Sequence, residues 1–306
     1  MNFKEELAAR TAQVETVIKK YLPEEKGYQK TVVEAMNYSI LAGGKRLRPM
    51  LMQETFRLFG GSGEVVEPFM AALEMVHTYS LVHDDLPCMD NDEYRRGKKT
   101  THVVYGEGMA VLAGDGLLNY AFETAVKAFG TADGMQAPDR VARALGVFAG
   151  KAGIYGMIGG QTADIEAEDR EMKGCPVTED GLLFIHEHKT AALIQSAMMT
   201  GAILAGADGE AVRQMEKCAY NIGIAFQIQD DILDVTGSLE VLGKEVGSDA
   251  KNHKTTYVTL KGMEQAKRDV ERLSGEAVSI LASFSLRSLR NEFLEELVLQ
   301  LVGREK

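Results

Sequence analysis

The sequence has little proline and no clear strand pattern. Its 306 residues include 6 prolines and no tryptophan. Because proline disrupts the interior of a helix but is tolerated in its first turn, the long stretches between prolines leave room for long helices. These stretches are rich in Ala, Leu, Met, Glu and Gln, which favour helix. No stretch alternates apolar and polar residues between turn signals, so strands are not expected.

We therefore predict an all-α protein. The predicted helices are residues 3–20, 28–41, 49–59, 64–85, 108–129, 138–159, 179–205, 209–236, 255–281 and 286–302. No low-complexity linker divides the chain and no strong repeat is present. Residues 1–306 are therefore predicted to form a single domain.

Cysteine is also scarce, and the 45 acidic residues outnumber the 34 basic ones. Cys88, Cys175 and Cys218 lie far apart without a CxxC pair, which argues against a zinc site and a disulfide framework. The formal net charge of −11 argues against nucleic acid or an anionic membrane as the main partner. No apolar run reaches the length of a membrane span, and the first 15 residues lack an apolar signal core. We expect a soluble protein of a reducing cytoplasm.

A cluster of carboxylates lies within an apolar stretch near residue 230. Gln227, Asp230, Asp231 and Asp234 follow i, i+3, i+4 and i+7 spacing, which predicts one helical stripe. Unpaired carboxylates in apolar surroundings are costly, and a divalent cation with oxygen ligands, such as magnesium or calcium, would remove that cost. A solvated acidic face is the alternative, but the surrounding run is too apolar for a helix lying on water.

A second acidic cluster, Asp84, Asp85 and Asp90, closes an earlier apolar helix. Pro87 disfavours a regular helix through this cluster, so Asp84 and Asp90 can share a metal only where the chain bulges. Alone, the cluster could equally be a polar helix end. Basic residues follow within a few positions, and arginine beside metal-binding acids suits a diphosphate. They are Arg95, Arg96, Lys98 and Lys99.

Further signals for phosphate binding lie upstream. Gly43-Gly44 precedes Lys45 and Arg48 at a predicted helix start, where backbone N–H groups attract anions. His77 lies seven residues before Asp84 on the same helical face. A solvated glycine loop and a core histidine are the alternatives. The alignment of His77 with the acidic stripe favours contact with diphosphate.

Taken together, the motifs resemble those of the trans-prenyl diphosphate synthases. HDDLPCMD (83–90) and FQIQDDILD (226–234) are similar to the two aspartate-rich motifs of that family. Five further blocks resemble family blocks in family order, and such an ordered set is far more specific than any one motif. They are residues 43–49, 95–102, 159–165, 188–194 and 243–257. The likeness is closest to the bacterial-type farnesyl diphosphate synthases.

The resemblance implies a fold, partners and a reaction. The fold would be an isoprenoid-synthase-type bundle of about ten or more helices around a deep central cavity, usually as a homodimer. The substrates would be isopentenyl diphosphate and an allylic diphosphate such as dimethylallyl or geranyl diphosphate. The allylic C–O bond would ionise, the isopentenyl double bond would attack the cation, and a proton would be lost. The cofactor would be Mg²⁺.

The resemblance also implies roles for individual residues. Asp84, Asp90, Asp230 and Asp234 would ligate magnesium. Isopentenyl diphosphate would be held by Lys45, Arg48, His77 and Arg96. The allylic diphosphate would be held by Arg95, with its site completed by Lys189, Thr190, Gln227, Lys244 and Lys254. Lys189, Thr190 and Gln227 would act in catalysis, although a snorkelling Lys189 is the alternative without the motif. Gln161 and Asp164 match a family block and have no firm role.

Product length rests on Tyr79, which lies just before the first aspartate motif. A tyrosine there resembles the makers of farnesyl (C15) diphosphate, although a helical wheel places Tyr79 off the stripe of Ser80 and Asp84. A geranylgeranyl diphosphate synthase and a non-catalytic prenyl synthase subunit are the alternatives. A terpene cyclase and an acidic calcium-binding protein fit the motifs less well, since DDxxD at 230–234 and the basic residues are all present.

Overall fold

Local capping and apolar periodicity fix the helices of the computed structural model, which describes residues 2–236, 255–284 and 289–302. Asn2 opens the first helix with a capping box, because its side chain accepts from Glu5 N–H at 3.0 Å and Glu5 accepts from Asn2 N–H at 3.2 Å. Pro68 lies in the first turn of the fourth helix, where its missing N–H costs no hydrogen bond. The all-α prediction with about ten or more helices is confirmed.

The helices of the first half are α1 (Phe3–Lys20), α2 (Lys30–Ile40), α3 (Leu47–Leu58), α4 (Glu67–Asp84), α5 (Thr101–Tyr105), α6 (Glu107–Val126), α7 (Ala132–Gln136) and α8 (Pro138–Ala152). Those of the second half are α9 (Met157–Met172), α10 (Glu179–Ile185), α11 (Ala192–Ala205), α12 (Gly209–Thr236), α13 (Tyr257–Lys261), α14 (Met263–Ser283) and α15 (Glu292–Val302). A 3₁₀ turn (Lys127–Gly130) follows α6, and a π-helical turn (His186–Ala191) joins α10 to α11.

The chain divides into two compact units. The first comprises Met1–Gln53 and Ser62–Leu145, and the second comprises Glu54–Gly61 and the described residues that follow Leu145. In the first unit α4 packs against α6 and α1 and is buried along most of its length. In the second unit α12 packs against α14, α11 and the π-helical turn. That residues 1–306 act as a single domain stays a prediction.

A short β-hairpin departs from the strand-free expectation. Strand β1 (Tyr94–Arg95) pairs antiparallel with β2 (Lys98–Lys99). The two central residues, Arg96 (φ 54°) and Gly97 (φ 74°), both have positive φ, which matches the right-handed twist of paired strands. Two residues per strand are too few to produce a readable alternation in the sequence.

Most of helix α9, residues 160–172, was not predicted, although every predicted helix overlaps a helix of the described residues. Its stretch begins among Gly153, Gly156, Gly159 and Gly160, and glycine is a poor helix former. Close packing against neighbouring elements overrides this local preference. The predicted loop at 237–254 lies outside the described residues.

One stretch among the described residues, Pro138–Met172, is long and apolar enough to cross a membrane by length and composition alone, and 33% of its most apolar window is buried. The structure breaks this stretch into two helices, α8 and α9, at residues 153–156. Because the core helix of a globular protein passes the same test, the finding is weak evidence for a membrane span.

Candidate active site

The first aspartate segment, residues 83–96, folds back on itself where α4 ends. Asp84 is the last residue of α4 and is half-buried, while Asp90 is exposed. Consecutive turns follow, and the Asp90 N–H donates to the Asp84 carbonyl oxygen at 2.8 Å. The backbone thus bulges after Asp84, as the presence of Pro87 requires, and brings Asp90 back to the helix end.

Asp85 anchors Arg95 within this segment. Its carboxylate is buried and accepts from Arg95 Nε at 2.7 Å and lies 2.6 Å from Arg95 Nη2. Burial raises the pKa of Asp85, and the hydrogen bond from Arg95 opposes that rise. Arg95 also reaches the exposed Asp92 at 3.4 Å. Sequence analysis gave Asp85 no role, because the turn that brings Arg95 back to it depends on the short hairpin.

Two predicted substrate residues, Arg48 and His77, meet in the first unit. Both are half-buried, and Arg48 Nη1 lies 3.3 Å from His77 Nε2. Burial, and then the charge of Arg48, lower the pKa of His77 well below its usual value. The imidazole is therefore neutral near pH 7. Because arginine only donates, His77 accepts through Nε2 and carries its proton on Nδ1.

Arg96 lies over the glycine loop that precedes α3. Its guanidinium donates to the carbonyl oxygen of Gly43. A β-carbon added at Gly44, whose φ is 142°, would lie 2.7 Å from Arg96 Nη1. Lys45 belongs to the same loop and is exposed. The loop and Arg96, both predicted to bind isopentenyl diphosphate, are thus brought together.

The three basic residues that follow the glycines, Lys45, Arg46 and Arg48, differ in burial. Arg46 is 2% exposed and has a positive φ of 50°. It donates to Glu15 and Glu74, each at 2.6 Å. Arg46 is therefore a buried structural residue, whereas Lys45 is exposed and Arg48 is half-buried.

The predicted catalytic residues Lys189 and Thr190 occupy the π-helical turn. Lys189 Nζ lies 2.5 Å from Asp164 Oδ2 on α9, and that aspartate is 5% exposed. Thr190 Oγ1 donates to Gln227 Oε1 on α12 at 2.8 Å. The structure thus unites Lys189, Thr190 and Gln227 and adds Asp164, which sequence analysis had left without a role.

The carboxylates of the second aspartate helix, α12, have unequal surroundings. Asp230 is half-buried, whereas Asp231 and Asp234 are 6% and 3% exposed. Asp231 accepts from the backbone N–H of Tyr257, at the start of α13, at 2.7 Å. The acids lie on one helix at the predicted spacing, and Asp231 among them binds the start of α13.

Lys244 and Lys254 lie outside the described residues. Among the described residues, no group of three or more His, Cys, Asp or Glu side chains is placed to hold a metal ion. Mg²⁺ commonly takes one or two carboxylates and completes its shell with water and substrate phosphates. Asp84 and Asp90 in the first unit offer only oxygen donors, as do Asp230 and Asp234 in the second unit, and each pair by itself fits that chemistry.

The profile of the polyprenyl synthetase family matches residues 29–296. The chain belongs to the polyprenyl synthetase family. It is 43% identical over 288 residues, covering 94% of this chain and 80% of the relative, to a dimethylallyltranstransferase from Fischerella ambigua (strain UTEX 1903). It is 46% identical over 255 residues, covering 83% and 82%, to the farnesyl diphosphate synthase of Geobacillus stearothermophilus.

Other members of the family have different products in their names. A heterodimeric geranylgeranyl pyrophosphate synthase large subunit of Arabidopsis thaliana is 46% identical over 251 residues, covering 82% of this chain and 67% of that relative. Among solved structures, an apo FPP/GFPP synthase from Zymomonas mobilis matches with a TM-score of 0.84, 31% identity and coverage of 98% and 99%. The resemblance to trans-prenyl diphosphate synthases is thus confirmed, and the fold of this polyprenyl synthetase family member agrees with it.

Proposed function

We propose that the protein condenses isopentenyl diphosphate head-to-tail with dimethylallyl or geranyl diphosphate and that its main product is farnesyl diphosphate. Membership of the polyprenyl synthetase family supports the reaction class. One observation carries the catalytic assignment: Thr190 donates to Gln227 at 2.8 Å. Gln227 lies on α12, about one turn before Asp230. A half-buried, uncharged hydroxyl–amide pair beside Lys189 suits a reaction that develops positive charge on carbon.

We assign Asp84, Asp90, Asp230 and Asp234 to magnesium binding. When bound, Mg²⁺ neutralises diphosphate charge and favours its departure as a leaving group. A geranyltransferase from Helicobacter pylori was solved in complex with magnesium and isoprenyl diphosphate, and it matches this chain with a TM-score of 0.81, 29% identity and coverage of 99% and 97%. That relative and the oxygen-only donor set support the assignment.

The basic residues hold the substrates in this proposal. Arg95 and Lys189 bind the allylic diphosphate, and Lys244 and Lys254 complete that site. Lys45, Arg48, Arg96 and His77 bind isopentenyl diphosphate. Because His77 is neutral and accepts from Arg48, it offers its Nδ1–H as a donor without adding charge.

Thr190 has the chemistry to stabilise the allylic cation. Since its hydroxyl proton is donated to Gln227 Oε1, the lone pairs of Thr190 Oγ1 stay available to positive charge. The isopentenyl double bond attacks the cation, and a proton then leaves to the departing diphosphate. Exclusion of water from the site protects the cation from being quenched.

Tyr79 sets the product length through its bulk. The side chain is 6% exposed and meets His83 edge-on, with ring centroids 5.8 Å apart. Its hydroxyl has no hydrogen-bond partner among the described residues, and burial raises the pKa of Tyr79 to about 12. Because Tyr79→Ala removes the ring, it should lengthen the product. Tyr79→Phe keeps the ring and should leave the product at C15. A C15 product from Tyr79→Ala would remove Tyr79 from the proposal.

We further propose a cytoplasmic homodimer of single-domain subunits. Exposed apolar side chains on α6, among them Val111 (41% exposed) and Leu112 (55% exposed), support association through apolar surface. Light scattering coupled to size exclusion should give twice the 33.4 kDa chain mass. A monomer at micromolar concentration would contradict the dimer.

The decisive experiment is a product assay. The purified protein is incubated with radiolabelled isopentenyl diphosphate, geranyl diphosphate and Mg²⁺, and the dephosphorylated products are separated by chromatography. We expect label in farnesol. Label in geranylgeraniol would instead favour geranylgeranyl diphosphate synthase, the activity in the names of several relatives. No incorporated label would contradict a catalytic function and favour a non-catalytic subunit.

A further inference from the structure

Two glycines bring neighbouring helices into direct contact with the backbone of the π-helical turn. A β-carbon added at Gly160 of α9 would lie 2.1 Å from Lys189 N and 2.5 Å from His188 C. A β-carbon added at Gly223 of α12 would lie 2.3 Å from Ala191 Cβ and 2.6 Å from Ala191 Cα. Since all four distances are far below van der Waals contact, only glycine fits at position 160 and at position 223.

Each glycine is followed, one helical turn later, by a polar residue that binds a side chain of the π-helical turn. Asp164 follows Gly160 by four residues and binds Lys189 at 2.5 Å. Gln227 follows Gly223 by four residues and accepts from Thr190 at 2.8 Å. Residues four apart share a helix face, so each helix presents a backbone contact and a polar contact to the same turn.

The π geometry itself needs such support. The Ala192 N–H donates to Glu187 O, five residues back, instead of four as in an α-helix. Wide turns of this kind are rare and occur mainly as short interruptions at functional sites. Here the turn carries Lys189 and Thr190, so its shape sets where both side chains and their carbonyl groups lie.

We propose that Gly160, Gly223 and Asp164 are positioning residues, which hold the π-helical turn in the conformation that makes Lys189 and Thr190 effective in the reaction. Gly160 and Asp164 act on Lys189, and Gly223 acts on Ala191 and Thr190. This inference rests on the proposed prenyl transfer. None of the three residues needs to touch substrate.

Alanine variants test the glycines. Gly160→Ala and Gly223→Ala should each lower kcat by about 100-fold, a size typical of a displaced catalytic group. The KM for isopentenyl diphosphate should change by less than about twofold, because its assigned binders lie elsewhere in the chain. Gly150→Ala and Gly275→Ala are matched controls, since both glycines lie in helices of the same unit with no atom within 4 Å of an added β-carbon. Both controls should keep wild-type kinetics.

A rescue variant separates positioning from general loss of stability. The first atom that a Gly223→Ala methyl meets is Ala191 Cβ, so Ala191→Gly should restore part of kcat in Gly223→Ala. It should do nothing for Gly160→Ala, whose added methyl meets only backbone. A merely destabilised protein would lose more activity on Ala191→Gly, because glycine weakens helices.

Asp164 is tested by a double-mutant cycle that does not depend on the folding of the glycine variants. Asp164→Asn should lower kcat at least tenfold in the wild type and have no further effect in Lys189→Ala. Equal effects in both backgrounds, or wild-type kcat in the folded glycine variants, would overturn the proposal. A wild-type protein that forms no prenyl product would instead contradict the proposed function itself.

Discussion

The first aspartate segment and the second aspartate helix, α12, carry similar acids in different backbone conformations. In the segment, consecutive turns return Asp90 to Asp84, and a buried ion pair joins Asp85 to Arg95. In the helix, Asp230 and Asp234 lie on a regular α-helix, and Asp231 binds the backbone N–H of Tyr257.

In each region one acid of the motif has a structural partner. Asp85 binds Arg95, which is itself assigned to the allylic diphosphate. Asp231 instead accepts from the backbone N–H of Tyr257 at the start of α13. The comparison predicts that a DD pair supplies one metal ligand and one structural residue. It also predicts that neighbouring aspartates respond differently to the same substitution.

The largest effect is expected in the second aspartate helix. Asp230→Asn should lower kcat by about 10²–10³-fold, as the loss of one electrostatic stabiliser does, with little change in stability. Steady-state kinetics with Mg²⁺ and urea unfolding measure the two effects. Asp208→Asn is the control at the start of the same helix, where Asp208 accepts from Ala211 N–H at 2.7 Å and Asn caps equally well. A full kcat in Asp230→Asn would end its assignment as a metal ligand.

Asp231→Ala should act on stability instead. It leaves the buried Tyr257 N–H without its acceptor, which costs about 1–3 kcal/mol in the free energy of unfolding. Asp231→Asn keeps an acceptor oxygen and should cost less. Urea unfolding of both variants checks this order. Wild-type stability in Asp231→Ala would show that the two neighbouring acids do not differ as proposed.

In the first aspartate segment, Asp85→Asn should weaken the hold on Arg95. We expect the KM for the allylic diphosphate to rise about tenfold, which equals about 1.4 kcal/mol. Asp92→Asn removes only the exposed 3.4 Å partner of the same arginine and should have little effect, as surface ion pairs contribute little. Similar KM values for the two variants would contradict the role of Asp85.

His77 gives the smallest and most pH-dependent effect. Its pKa in the folded protein lies well below the value of about 6.5 expected when unfolded, so below that pH the unfolded state binds more protons. Stability is thus present above about pH 6.5 and lost as pH falls. His77→Gln should remove up to about 1.4 kcal/mol of this loss per pH unit. Urea unfolding at pH 7.5 and 5.5 measures it, and parallel losses in both proteins would refute it.

Long apolar helices with clear ends were predictable from sequence. Helix α12 was predicted at 209–236 and is observed at Gly209–Thr236, because Asp208 caps its start and an apolar run continues through it. The stretch 179–205 was also predicted as helical, but its π-helical turn was not. The wide turn depends on contacts with Gly160 and Gly223, which are distant in sequence.

The ion-pair partners of the charged residues could not be predicted from sequence. Lys45 and Arg46 are neighbours with similar chemistry, yet Arg46 is buried between Glu15 and Glu74 while Lys45 is exposed. Sequence spacing cannot indicate these ion pairs, since the acids lie on other helices. Asp85 and Asp164 were named in the sequence analysis but given no firm role for the same reason.

Magnesium-dependent binding of pyrophosphate tests the central claim most directly, because it requires no turnover. Calorimetry would compare pyrophosphate affinity with and without Mg²⁺ in the wild type, Asp84→Asn, Asp230→Asn and the control Asp208→Asn. We predict that Mg²⁺ tightens binding at least tenfold in the wild type and the control, and that either site variant loses most of this gain. Full magnesium-dependent tightening in either site variant would contradict the claim that both aspartate regions bind the metal–diphosphate group.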